Sequence, residues 1–237
     1  MKTISFLFLS VFSVTTCFSQ SSFDFSGNRL TIDNGSIKRS VSFSHDSVIT
    51  ESLFLSGSGR NFLRDKSPEF QFQLNGRTIN GYSGWKVISC KPFSDNYDGN
   101  GAILKLTGTG PAEGIELDVK YLSYPGLPLI RKWISFTNRS SADMKLESLD
   151  IESLFLNIDY VSAWIYNNYA RMKQLGTFLG SWDDPVVVIH NTTLRAGIAL
   201  GNETPGVLKR TAYHTSDRNA EIGLTHTGQD FPFRKWL

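Results

Sequence analysis

Asp183 and Asp184 are the obvious adjacent carboxylates of this chain, and Trp182 precedes them. Two carboxyl groups can serve as nucleophile and acid/base on a glycosidic bond, but retention requires them about 5–5.5 Å apart across that bond. Neighbours in an extended chain point to opposite sides, so this pair does not converge on one bond. A turn ahead of the apolar run 186–190 accounts for them more simply. In the functional alternative, Trp182 stacks on a sugar face and one aspartate accepts a sugar hydroxyl from an exposed loop. Trp164, Tyr166 and Tyr169 form a second candidate together with Asn167 and Asn168. Aromatic-plus-amide composition suits carbohydrate contact, but it suits the edge of a β-sandwich or a protein interface equally, and the interface is the preferred reading. A third candidate is His214 with Glu221. If residues 216–219 form a hairpin loop, the two come close across strands, the arrangement a sugar mutarotase or epimerase uses for proton transfer. An ordinary cross-strand ion pair is the simpler account.

Metal chemistry is poorly supported. His45, His190, His214 and His226 form no short zinc-type spacing. The stretch Asn96-Tyr-Asp-Gly-Asn-Gly101 loosely resembles the start of a calcium loop. It begins with Asn, and Thr107 stands where a bidentate Glu is needed, so a hairpin turn is expected there and no metal. Neither a metal nor another cofactor is expected. The Asn-x-Ser/Thr triplets at Asn34, Asn138, Asn191 and Asn202 read as turn residues rather than glycan sites.

The elements that must position these side chains are short strands. Alternation and turn residues mark strands near 29–32, 36–43, 47–55, 69–74, 84–89, 102–108, 114–123, 129–138, 144–156, 186–190, 195–200, 207–214 and 220–226. Breakers such as Asp33-Asn-Gly35, Asn75-Gly76 and Tyr97-Asp-Gly-Asn-Gly101 separate them. Residues 163–174 are the best helical candidate. Strands at this spacing predict an all-β fold of two packed antiparallel sheets in a single domain.

The chain has 237 residues, 40% hydrophobic and 13% aromatic, enough for one large core. A formal charge of +2 gives no electrostatic reason to expect nucleic acid as a partner. Residues 1–19 read as a secretory signal: Lys2, an apolar run from Ile4 to Val14, and small residues before cleavage near Ser19-Gln20. The run is too short to span a bilayer, so no transmembrane segment is expected. Lipidation at Cys17 ranks below simple cleavage. The expected location is therefore periplasmic or extracellular, and the signal looks bacterial. Removing it leaves Cys90, read as a small buried hydrophobe.

The most distinctive wording is Tyr121-Leu-Ser-Tyr-Pro-Gly-Leu-Pro-Leu-Ile-Arg-Lys-Trp-Ile-Ser-Phe-Thr-Asn138. Pro125 and Gly126 suit a type II turn, and Ile130, Lys132, Ile134 and Phe136 alternate with Arg131, Trp133, Ser135 and Thr137. This stretch, with Leu30-Thr-Ile-Asp-Asn-Gly35 before it and Gly197-Ile-Ala-Leu-Gly-Asn-Glu203 after it, resembles the N-terminal β-sandwich of family 36 α-galactosidases. The resemblance runs from about residue 30 to about residue 210. Where the family commonly has a longer Ser/His/Gln-rich segment closing in Asn-Pro-Phe, this chain has Ser181-Trp-Asp-Asp-Pro185. The resemblance implies a galactose-mutarotase-like β-supersandwich at residues 20–237, incomplete at its C-terminus. It also implies a (β/α)₈ catalytic barrel as partner, a galactoside oligosaccharide as substrate, and a homo-oligomer. The family's catalytic aspartates belong to barrel motifs that do not occur here, so no catalytic residue carries over. A free-standing carbohydrate-binding protein and a mutarotase-like enzyme are the alternatives. Phe231, Phe233, Trp236 and Leu237 form a dense apolar tail: exposed, it favours truncation; buried, independence.

Overall fold

The computed structural model describes residues 22–55, 59–157, 162–166, 171–174, 178–179, 186–191, 195–204, 210–224 and 234–237. The strands are β1 (Ser22–Ser26), β2 (Arg29–Asp33), β3 (Ile37–Ser42), β4 (Ile49–Leu55), β5 (Arg60–Asn61), β6 (Ser67–Pro68) and β7 (Gln71–Leu74). Then come β8 (Arg77–Asn80), β9 (Trp85–Ser94), β10 (Asn100–Gly108), β11 (Ile115–Ser123), β12 (Ile130–Asn138) and β13 (Lys145–Phe155). The last are β14 (Ser162–Tyr166), β15 (Arg171–Gln174), β16 (Phe178–Leu179), β17 (Val186–Asn191), β18 (Ala196–Gly201), β19 (Arg210–His214), β20 (Asn219–Gly223) and β21 (Arg234–Trp236). One 3₁₀ turn, Gly110–Ala112, is the only helical element among the described residues.

The all-β expectation holds, with antiparallel pairing throughout. Backbone hydrogen bonds group the strands into four sheets: β1-β2-β3-β4-β5 with β6 on β4; β12-β11-β10-β9; β16-β19-β20-β13-β7-β8 with β21 on β13; and β15-β14-β17-β18. Period-2 alternation drives the packing. In β10 and β11, Ala102, Leu104, Leu106, Leu117, Val119 and Tyr121 all face one core. Phe70, Phe72 and Trp85 meet them there, with Phe70 edge-on to Trp85 at 5.1 Å between centroids. The Trp85 indole nitrogen donates to the Asn80 carbonyl at 2.9 Å, so this buried ring leaves no polar atom unpaired. A second core gathers Leu154, Leu156, Val187, Ile189, Tyr213 and Ile222.

Two expectations need correction. Within the 163–174 span the described residues are strand, not helix: β14 and β15 pair antiparallel, with Ala163 opposite Gln174 and Tyr166 opposite Arg171. Trp164, Ile165 and Tyr166 favour strand over helix, and Asn167-Asn168 favours a turn. The strand expected at 84–89 extends to Ser94 through Pro92. Proline is tolerated because β9 is the outer strand of its sheet, where one row of N–H groups has no ladder partner.

The Pro125-Gly126 turn forms as expected: Gly126 has φ 74°, and the Leu127 N–H donates to the Tyr124 carbonyl at 3.2 Å. Asn34, in the turn after β2, is buried and donates its side-chain amide to the carbonyls of Leu127 (2.9 Å) and Leu129 (3.2 Å). Two of the stretches that carry the family resemblance are thus one structural unit. β13 departs from simple alternation. Its register shifts twice, once against β7 across Ser148, which has φ 50°, and once against β20 between Asp150 and Glu152, and Glu147, Asp150 and Glu152 are all buried.

Candidate functional site

β12 carries the candidate site because its two faces do different things. Ile130, Ile134 and Phe136 pack on the first core, and Lys132 points the same way. A lysine there is tolerated because it enters a buried ionic cluster. Its ammonium lies 2.7 Å from a Glu69 carboxylate oxygen and 3.4 Å from Glu152, and it also donates to the Glu69 backbone carbonyl. The Arg39 guanidinium bridges the same two carboxylates, at 2.8 Å to Glu69 and 2.5 Å to Glu152. The Thr50 hydroxyl donates to Glu69, and the Tyr121 hydroxyl donates to it at 2.5 Å. Burial pushes the Glu69 carboxyl up, but Arg39 and Lys132 outweigh it and hold the group well below the usual carboxylate range. Burial, reinforced by Glu69, raises the Tyr121 phenol well above its ordinary value. With two cations on two carboxylates, the cluster leaves no net charge in the core.

Arg131 and Trp133, on the other face of β12, line a cleft of about 790 Å³, and Ile130, Lys132 and Glu152 from the first face line it too, so the cleft lies along the edge of the strand. Among the described residues β12 pairs only with β11 and β18 only with β17, and the cleft runs between these two outer strands. Trp133 and Phe93 lie at its floor, edge to face with centroids 5.9 Å apart and planes at 90°. Phe93 is opposite Gly101 on β10. A β-carbon on Gly101 would sit 2.4 Å from the Phe93 ring and 2.3 Å from the Tyr121 carbonyl oxygen, so glycine is what lets the ring lie across its neighbour.

A chain of polar groups borders this floor. Glu203, just after β18, accepts from Arg131 at 2.6 Å. Arg131 also donates to the Tyr124 hydroxyl at 3.1 Å, and Tyr124 donates to Asp95 at 2.7 Å. Desolvation would raise Asp95, but the Tyr124 hydroxyl and the N–H groups of Tyr97 and Gly99 lower its pKa on balance. The last two bonds close the β9–β10 hairpin, so the supposed calcium loop is a turn built on Asp95. Glu152 and Ile130 line both the cleft and a smaller cavity of about 130 Å³ beyond them.

A second ionic cluster sits on the β13–β20–β19 sheet. Arg210 is paired with Asp150 and lies 2.8 Å from Glu221. Burial dominates at Asp150, is opposed by Arg210 and reinforced by Glu221, and the carboxyl rises to about 6. The expected 216–219 loop is a four-residue turn at Thr215–Arg218, one residue earlier. His214 and Glu221 do approach, at 4.0 Å, but Glu221 is closer to Arg210, and neither lines the cleft or the cavity described above.

The other sequence candidates stand apart. Trp182, Asp183, Asp184 and Tyr169 lie outside the described residues, and Trp164 and Tyr166 are placed only as backbone positions of β14. Cys90 is a free, half-buried thiol whose pKa burial pushes up. Asn138 and Asn202, like Asn34, use their amides inside the fold, on the carbonyls of Ala142, Leu237 and Gly223. Among the described residues no group of three or more His, Cys, Asp or Glu could hold a metal, and no helix is long and apolar enough to cross a membrane. The apolar tail divides: Trp236 is 66% exposed, whereas Leu237 packs on the core and pairs with Met144; Phe231 and Phe233 lie outside the described residues. Sequence reasoning passed over Phe93, Arg131 and Trp133. Alternation already put Arg131 and Trp133 on the face opposite Lys132, but it says nothing about whether the strand borders a cleft.

No protein-family model matches the sequence, and no curated protein matches it. Solved structures do. A GH36 α-galactosidase from Geobacillus stearothermophilus aligns with a TM-score of 0.61 and 11% identity, over 92% of this chain and 39% of that one. The α-galactosidase from Lactobacillus brevis aligns at 0.60 and 13%, over 90% and 38% respectively. The chain shares its fold with part of the GH36 α-galactosidases. The galactosidase domain of an α-galactosidase–sucrose kinase shows the same relation, at 0.60 and 8% identity over 91% and 40%. The chain therefore spans about two fifths of the length of these α-galactosidase structures.

Proposed function

We propose that this chain is the non-catalytic N-terminal β-sandwich of an α-galactosidase-like glycoside hydrolase, packing on a (β/α)₈ barrel and shaping one wall of its galactoside site. The observation that carries this reading is the coverage: nearly all of the chain superposes on a minor part of each GH36 α-galactosidase. The chemistry agrees. Glu69 and Glu152 are the most deeply buried carboxylates in contact with β12, and both are held by Arg39 and Lys132 rather than free to act on a substrate. Export with cleavage near Ser19, a bacterial source, a sandwich spanning 20–237 and assembly into a homo-oligomer belong to the same proposal.

The test is an assay of the purified 237-residue chain on p-nitrophenyl-α-galactoside, alone and mixed with a separately produced GH36 barrel. The chain alone should be inert, and should bind the barrel and alter its KM. Robust turnover by the uncontaminated chain, or no association with a barrel, would sink the proposal.

A further inference from the structure

We infer that the cleft between β12 and β18 is a saccharide-binding site, with Trp133 and Phe93 as its floor and Arg131, Glu203 and Asp95 as its polar rim. This inference concerns the sandwich itself and stands independently of the proposed barrel. Three observations lead to it. The cleft, at about 790 Å³, falls in the range of about 300–1,000 Å³ in which small-molecule sites occur. Its floor is aromatic and held in place, since Phe93 occupies the space that Gly101 leaves and supports the Trp133 ring edge to face. Its rim is a preorganised sequence of donors and acceptors, Glu203 to Arg131 to Tyr124 to Asp95.

The chemistry of the ligand follows from these groups. A pyranose ring offers an apolar C–H face to an aromatic floor and hydroxyls at its edge. Carboxylates accept from those hydroxyls, and a guanidinium donates to them. The rim has two carboxylates to one arginine, while Lys132 is committed to Glu69 and Glu152. An anion such as a phosphate would therefore meet no free positive charge. A purely apolar ligand would strip water from the charged rim without replacing its hydrogen bonds. A neutral, hydroxyl-rich ligand avoids both costs.

The test is titration of the full 237-residue chain with methyl α-galactoside, methyl α-glucoside and raffinose, followed by amide chemical shifts in β12 and β18. Inorganic phosphate serves as the anionic control. Saturable shifts with at least one saccharide and none with phosphate are expected. Trp133→Ala should weaken binding by at least about tenfold, and Trp133→Phe by less, because the aromatic face remains. Glu203→Gln changes an exposed side chain and so keeps the fold, and it should weaken binding several-fold. The inference is overturned if no saccharide gives saturable shifts, if phosphate binds more tightly than the sugars, or if both Trp133→Ala and Glu203→Gln, folded by circular dichroism, bind like the unaltered chain. None of these outcomes bears on whether the chain associates with a barrel.

Discussion

The two ionic clusters use the same chemistry with different arithmetic. Around Glu69 and Glu152 there are two cations, Arg39 and Lys132, and all four charged groups are nearly inaccessible. Around Asp150 and Glu221 there is one Arg210, and the site is less enclosed. The consequence is opposite pH behaviour. Glu69 titrates below its ordinary value of 4.5, so its ionised form stabilises the fold above that value, and the contribution is lost as pH falls. Asp150 titrates at about 6 against an ordinary 3.8. Between those values the folded chain keeps a proton that the unfolded chain has released, so rising pH removes stability. Burial raises both carboxyls; two cations outweigh it at Glu69, whereas at Asp150 one cation, opposed by the Glu221 charge, does not.

The largest effect should come from Glu69→Gln. It leaves Arg39 and Lys132 facing Glu152 alone and weakens the acceptor for Thr50 and Tyr121. Breaking a buried pair in this way costs about 3–5 kcal/mol, to be read from urea unfolding at pH 7. The gap from the unaltered chain should narrow below about pH 4.5, where the unfolded chain protonates this residue. A loss under about 1 kcal/mol would mean that the cluster is solvated and the contrast with the Asp150 site is false.

Lys132→Met sharpens the comparison more directly, because it gives the first cluster the composition of the second: one arginine, two carboxylates. About 3 kcal/mol should be lost at neutral pH. The loss should shrink on acidification, as one carboxylate of the pair takes up a proton, and a pH series of unfolding curves would show it. A pH-independent loss would point to packing rather than charge as the role of Lys132.

These clusters also mark where sequence reading ran out. The Pro125-Gly126 turn and the alternation of residues 130–137 were legible because they are local: φ preference and a period of two need only neighbours. Lys132 was assigned to the right face by that period, but nothing local says that the face is buried, or that its partners lie at Glu69 and Glu152. Arg39 and Glu152 are 113 positions apart, and no spacing rule connects them. Glu152 is further hidden by the double register shift in β13, which breaks the alternation that would have sorted its side chains. The 163–174 error has another cause. An aromatic segment of mixed polarity suits either a short strand or a helix, and only the pairing of β14 with β15 and β17 decides. The aromatic floor was half legible, since Trp133 was correctly oriented; Phe93 was not, because its position depends on a strand continuing through Pro92.

Asp150→Asn addresses the second cluster. It removes the group whose proton is held up to about pH 6, so the decline in stability between pH 4 and 7 should flatten. A two-unit shift corresponds to about 3 kcal/mol at most, and solvent at the partly exposed partners Arg210 and Glu221 reduces the expected flattening to about 1–2 kcal/mol. Unfolding curves at pH 4, 5.5 and 7 for both proteins would measure it. A parallel offset at all three pH values would show that Asp150 does not titrate in this window.

Glu221→Gln should have the smallest effect on stability, under about 1 kcal/mol, because Glu221 is partly solvated and Arg210 keeps Asp150 as a partner. Its value lies in what it does to a neighbour. Of the influences on Asp150, burial and the Glu221 charge raise the carboxyl while Arg210 and a Gln71 hydrogen bond lower it. Removing the Glu221 charge turns two carboxylates per arginine into one, the ratio of the Arg39–Lys132 cluster, without altering burial. The Asp150 pKa should therefore fall from about 6 towards its ordinary 3.8, which carboxyl carbon shifts across a pH titration would follow. If Asp150 stays near 6 in this variant, burial alone sets its value, and cation number is not what separates the two clusters.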